Sequence, residues 1–119
     1  MADDKLDTLD LCAFDMLDNE ILQCLDYVHS KKKVKCLKLS QNKLTNDGFT
    51  LIIAYLKFTT NLNLSSNLLT EEVLNTLIKQ REKVPNLRIL NLAYNKVNER
   101  KAKVYVDELK KQGIIVTLT

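Results

Sequence analysis

Four times along the chain, apolar residues fall at the same offsets around a polar amide. The clearest copies are Val34, Leu37, Leu39, Asn42, Leu44 and Leu87, Leu90, Leu92, Asn95, Val97. Between them lies Thr59, Leu62, Leu64, Asn67, Leu69, with Thr at the first position. A degraded copy opens the chain as Leu6, Leu9, Leu11, Phe14, Met16, with Phe where the amide belongs. The copies start at residues 6, 34, 59 and 87, so they lie 28, 25 and 28 residues apart. The two central leucines of each copy are two residues apart, which puts both on one side of an extended strand. Each copy therefore predicts a short strand with one buried face.

Between the strands the apolar spacing switches to the helical period. Ile21, Leu22, Leu25 and Val28 form one stripe of a helix over about 18–29, with Asp18 or Asn19 as its cap. Phe49, Ile52, Ile53 and Leu56 form the next, in a helix predicted over 49–58. Thr70 followed by Glu71 and Glu72 reads as an N-cap with acids in the first turn, ahead of Val73, Leu74, Leu77 and Ile78. Asn98 caps a last helix with Ala102, Tyr105, Val106 and Leu109 inward, and Gly113 stops it. Val116 and Leu118 restore the strand register in a closing strand.

The motif and its period resemble those of leucine-rich-repeat proteins. The helix in each unit of about 28 residues is similar to the ribonuclease-inhibitor-like class, rather than to the short classes built on 3₁₀ turns. The resemblance covers nearly the whole chain. It implies an α/β solenoid: a short right-handed horseshoe arc, with parallel strands on the concave face and helices on the convex one. Residues 1–119 then form one domain, with a capping unit over 1–30, three central units over 31–112 and a closing strand over 113–119. In this family the amide after each strand turns inward and bonds backbone groups, which assigns Asn42, Asn67 and Asn95 to a structural ladder. Phe14 lacks that chemistry, and the resemblance implies an apolar lid on the outermost unit.

Composition narrows the function more than the fold. With only Gly48 and Gly113, no phosphate-cradling glycine loop is present. His29 is the single histidine, and Cys12, Cys24 and Cys36 offer no Cys-x-x-Cys pair, so neither a metal centre nor a nucleophile–base pair is indicated. We expect three ordinary thiols, no cofactor and no catalysis. Asn63-Leu64-Ser65 matches a glycosylation acceptor, but Asn63 falls in mid-strand. Acids at Asp3 and Asp4 stand where a targeting peptide carries bases, and the apolar stretch 49–58 is too short to span a bilayer. An intracellular, cytoplasmic protein is the expectation.

Charge is sharply divided. Residues 1–30 hold eight acids and one base, whereas the remainder holds seventeen bases and seven acids. An acidic first unit thus precedes a basic body, either as a solvated outer face or as a docking end. Lys31, Lys32, Lys33, Lys35 and Lys38 form the densest basic run, with Lys31–Lys33 read as a loop. A nucleic acid or an anionic lipid would be its natural ligand, although the only aromatic near it in sequence is Tyr27.

Strand alternation nominates the outward positions. They are Thr8, Asp10 and Cys12, then Cys36, Lys38 and Ser40, then Asn61, Asn63 and Ser65. Ile89, Asn91 and Ala93 follow, and finally Ile115, Thr117 and Thr119. Asp10 and Lys38 share a column and are placed to pair. Arg88 and Tyr94 flank the later rows, where Tyr, Arg and Ile make a surface of the kind binding hot spots favour. A second patch is Leu51, Tyr55 and Phe58 on the helical side, either exposed or tucked between units. The sequence thus points to a non-catalytic protein-binding adaptor or assembly subunit acting through its strand face. The alternative is a phosphate-ligand module built on the lysine run.

Overall fold

A computed structural model describes residues 5–29 and 33–119 of the chain. Asp3, Asp4, Lys31 and Lys32 lie outside the described residues. The elements alternate in chain order. They are β1 (Lys5–Asp10), α1 (Asp18–His29), β2 (Lys33–Lys38), α2 (Asn46–Ile52), β3 (Asn61–Asn63), α3 (Glu72–Lys79), β4 (Ile89–Asn91), α4 (Glu99–Lys111) and β5 (Ile115–Thr117). The strands form one parallel sheet in the order β1-β2-β3-β4-β5, each pairing with its neighbours in sequence. This is an α/β fold with four helices.

The sheet is buried on one side only. Leu37, Leu39, Leu62, Leu64, Leu90 and Leu92 are almost wholly buried against Ile21, Leu25, Phe49, Ile52, Leu74, Leu77 and Leu109 of the helices. One continuous core results, as expected when each strand–helix unit cannot bury its own apolar face alone. The opposite face stays accessible. Its columns are in register: Thr8, Cys36, Asn61, Ile89 and Ile115 in one, Asp10, Lys38, Asn63, Asn91 and Thr117 in the next.

Strands β1 to β4 end in the same way. Ala13, Gln41, Ser66 and Tyr94 adopt left-handed backbone conformations, with φ of 64°, 57°, 56° and 60°. Each immediately precedes Phe14, Asn42, Asn67 or Asn95. The N–H groups of Ala13, Gln41 and Ser66 donate to the carbonyls of Ser40, Ser65 and Ala93 on the next unit, at 3.0, 3.1 and 2.8 Å. The left-handed turn thereby extends sheet pairing past the strand before the chain bends inward. At the far end, Gly113 (φ 86°) closes α4: its N–H reaches Lys110 O and that of Ile114 reaches Leu109 O. That is a Schellman stop, which needs a residue tolerant of positive φ.

Several sequence expectations are corrected. The helix predicted over 49–58 stops at Ile52 and tightens into a 3₁₀ turn over Ile53–Tyr55, and a second 3₁₀ turn spans Arg81–Lys83. The unit only 25 residues long lacks the chain for a full helix. Lys33 begins β2 rather than lying in a loop. Helix α3 starts at Glu72, one residue later than a Thr70 cap requires, and Thr70 Oγ1 meets the Glu72 N–H only at 3.4 Å. Phe14 is no lid, being 64% exposed. Ala93, placed outward by alternation, is buried because the chain has already begun its inward turn.

Candidate functional site

Two rows of polar side chains hold the sheet face in place from behind. In the first, Asn42 Nδ2 donates to Leu11 O (2.9 Å) and Leu39 O (3.0 Å), while its Oδ1 accepts from Met16 N (2.9 Å). Asn67 repeats this with Leu39 O, Leu64 O and Leu44 N at 3.0, 3.1 and 3.0 Å. Asn95 does so with Leu64 O, Leu92 O and Leu69 N at 2.8, 3.1 and 2.9 Å. Every amide therefore bonds its own turn and the preceding one, pairing backbone groups that burial would otherwise leave unsatisfied.

The second row was not anticipated from sequence. Asp18 accepts from the Thr45 N–H (2.8 Å) and hydroxyl, and Asn46 Oδ1 accepts from the Thr70 N–H (3.0 Å). Glu71 Oε1 accepts from the Asn98 N–H (2.9 Å). In each case a residue at one helix start bonds the residue before the next helix. The Asn98 N–H is the main influence holding the Glu71 carboxyl below its ordinary pKa. The available signal was a small polar or acidic side chain recurring beside the caps, which ordinary capping preference masks.

On the outward face, four of the nominated residues turn out to be engaged locally. Asp10 Oδ1 accepts from the Cys12 N–H (3.0 Å), Asn63 Oδ1 from Ser65 N (3.0 Å) and Asn91 Oδ1 from Ala93 N (2.9 Å). Asp10 is held below its ordinary pKa first by the Cys12 thiol, then by that N–H, with Lys38 only a minor influence. The expected Asp10–Lys38 pairing is thus secondary to a strand-end turn. Asn61 Oδ1 accepts from the Thr60 hydroxyl at 3.1 Å.

Arg88, Ile89, Tyr94, Ile115 and Thr117 gather at the β4–β5 end, while Lys38 stays apart on β2. Ile89 and Ile115 are paired neighbours, 45% and 63% exposed, with the exposed Arg88 before them and Thr117 beyond. Tyr94 is 81% exposed at the tip of its left-handed turn. These two exposed isoleucines lie side by side on an otherwise polar sheet face, and Tyr94 projects from the turn that follows β4.

The second patch comes apart. Leu51 is 55% exposed, but Tyr55 and Phe58 are drawn inward. Tyr55 meets His29 edge-on at 5.3 Å and donates its hydroxyl to Asp26 Oδ1 at 3.3 Å. Burial and the Asp26 carboxylate raise its pKa. Phe58 lies under two lysines, Lys33 and Lys57, whose Nζ atoms are 5.0 and 5.6 Å from its ring centroid. The lysine run therefore has an aromatic neighbour that linear sequence hid, because Phe58 belongs to the next unit.

Cys12, Cys24 and Cys36 are free thiols, and Cys12 Sγ accepts from the Ser40 hydroxyl at 3.0 Å. Among the described residues no helix is long and apolar enough to cross a membrane. No protein-family model matches the chain, and no curated protein matches it either.

Proposed function

We propose that the chain is a leucine-rich-repeat solenoid of the ribonuclease-inhibitor-like type. In this reading it is a non-catalytic, cytoplasmic protein-binding module, an adaptor or a structural subunit of a larger assembly. The fold reading is supported by the four-fold motif, by left-handed residues 28, 25 and 28 positions apart, and by the amides that stitch successive units. The functional reading rests on one observation: the exposed Ile89, Ile115 and Tyr94 on the outward sheet face. The strands beneath them are held by the ladder, so the face is preorganised and little ordering entropy is lost when a partner docks. Asn63 and Asn91 shape that face through their turns, and Arg88 supplies a charged edge.

The test is affinity capture from a native lysate of the source cells. The wild-type chain and a Val104→Asp control, changed on α4, should retain one recurrent protein that an Ile89→Asp/Ile115→Asp variant loses. Equal retention by all three would contradict binding through the sheet face.

A further inference from the structure

We propose that copies of this chain associate end to end, the outer edge of β5 in one copy pairing with the outer edge of β1 in the next. This surface is separate from the outward sheet face, so the inference goes beyond the proposed function. Among the described residues the sheet stops at β1 and at β5, each paired on one side only. Along a strand, successive residues send their N–H and C=O groups to opposite sides. Ile115 N donates to Arg88 O at 2.8 Å and Thr117 O accepts from Leu92 N at 2.7 Å, so the Val116 and Leu118 backbones face away from β4. At the other end Leu11 N donates to Lys38 O at 2.9 Å and Ala13 N to Ser40 O at 3.0 Å. The Thr8 and Asp10 backbones consequently face away from β2.

The two edges are complementary. The N–H groups of Leu11, Leu39, Leu64 and Leu92 donate to the carbonyls of Lys38, Asn63, Asn91 and Thr117, one joint after another. Leu118 is the next donor in that series, and Asp10 heads the column that supplies the acceptors. Setting β1 of one copy beside β5 of another therefore repeats a pairing the sheet already makes at every joint.

The apolar side chains are open at the same places. Leu37, Leu62 and Leu90, and Leu39, Leu64 and Leu92, are almost wholly buried, whereas Leu9, Leu11, Val116 and Leu118 at the ends of these rows are only partly buried. The crevice between α1 and β2, walled by Leu25, Val28 and Val34, is closed by Tyr55 and Phe58 of the following unit and keeps about 10 Å³. The matching crevice between α4 and β5, walled by Val106, Ile115 and Val116, stays open at about 300 Å³. A second copy continues these joints, whereas a lone extended peptide would leave the rows of the first unit uncovered.

Charge favours the same orientation. Residues 1–30 hold eight acids and one base, and residues 98–119 hold five bases and three acids. Asp10, Asp18 and Glu20 accept hydrogen bonds from backbone N–H groups, which leave their charge in place. The contrast steers the first end of one copy toward the last end of another. Because the two edges differ, each added copy leaves one of each kind open.

The test is sedimentation velocity of the full chain over a concentration series at low salt. Val116→Pro removes an N–H that faces away from β4, and Thr8→Pro one that faces away from β2, so neither breaks a bond within the sheet. The wild-type chain should grow in mass with concentration, and each proline variant alone should stay monomeric. Mixed in equal amounts, the two variants should form a species of twice the monomer mass and nothing larger, because together they hold one intact edge of each kind. Val106→Lys, at the open crevice, should weaken association at least about tenfold by burying a charge without a partner. Val104→Lys, on the exposed side of α4, should leave association unchanged. Circular dichroism checks that each variant folds, and Val106→Lys decides the case if a proline variant does not. A wild-type chain that stays monomeric, proline variants that assemble as wild type does, a mixture that fails to dimerise, or equal loss in Val104→Lys would overturn the proposal.

Discussion

The first strand–helix unit and the three that follow share a backbone path but not a chemistry. All four bend through a left-handed residue at the same place, yet only the later ones carry an amide after it. The hydrogen bonds explain the difference. Asn42, Asn67 and Asn95 each reach back to a carbonyl and an N–H of the preceding unit. The described first unit has no earlier strand beside β1 to receive such bonds, while its own Leu11 O and Met16 N are served by Asn42. Phe14 takes no part in the ladder, and its ring stays in solvent. The comparison teaches that the ladder is directional: each unit is secured by the next.

That asymmetry can be broken most severely from the middle. Asn67→Ala would strip a partner from Leu44 N and from the Leu39 and Leu64 carbonyls in a buried setting, and should cost about 3 kcal/mol. Phe14→Asn should change stability by less than about 0.5 kcal/mol, as exposed substitutions do. Urea midpoints compare the two. A large gain from Phe14→Asn would show that the ladder is not directional.

The joint between the first two units offers the next effect. A Cβ on Gly48 would stand 2.2 Å from Asp18 Oδ1 and 2.7 Å from Leu44 Cδ1. Gly48→Ala should thus dislodge the Asp18–Thr45 bonds and cost about 2 kcal/mol, within the range for overpacked sites. Thermal melting checks it, and a melting temperature at or above the wild-type value would sink the idea.

At the opposite end, Tyr94→Gly should relieve the left-handed conformation of a bulky residue and raise stability by about 0.5–1 kcal/mol. The same change should weaken partner capture, the two readouts moving in opposite directions. If capture is unaffected, Tyr94 has no place in the binding surface.

The smallest effect is on acid stability. Glu71 has a folded-state pKa below its ordinary 4.5, so the stability it adds is complete above that value and is lost as pH falls through the folded one. Glu71→Gln should flatten the wild-type loss of stability in that acid window and leave neutral-pH behaviour nearly unchanged.

The strands, their register and the ladder amides were legible in the sequence, because two-residue and three-residue spacings encode which side chains share a face. The positions of Leu37, Leu62 and Leu90 illustrate this: each falls opposite the next without adjustment. What escaped was whatever depends on distance between units. Phe58 is far from Lys33 in sequence, and only parallel pairing brings its ring beneath that ammonium group. Spacing alone left Tyr55 either exposed beside Leu51 or tucked between units, and the shortened unit turns its backbone into a 3₁₀ turn. The roles of Asp18, Asn46 and Glu71 were hidden for the same reason, since each bonds a residue one unit away.

The most direct test of the central claim is hydrogen–deuterium exchange of the full chain, free and in complex with the captured partner. Binding through the outward sheet face predicts added protection at Ile89–Asn91, Tyr94 and Ile115–Thr117, with α1 and α2 unchanged. Protection confined to α2 around Leu51, with the β4–β5 end exchanging as in the free protein, would contradict it.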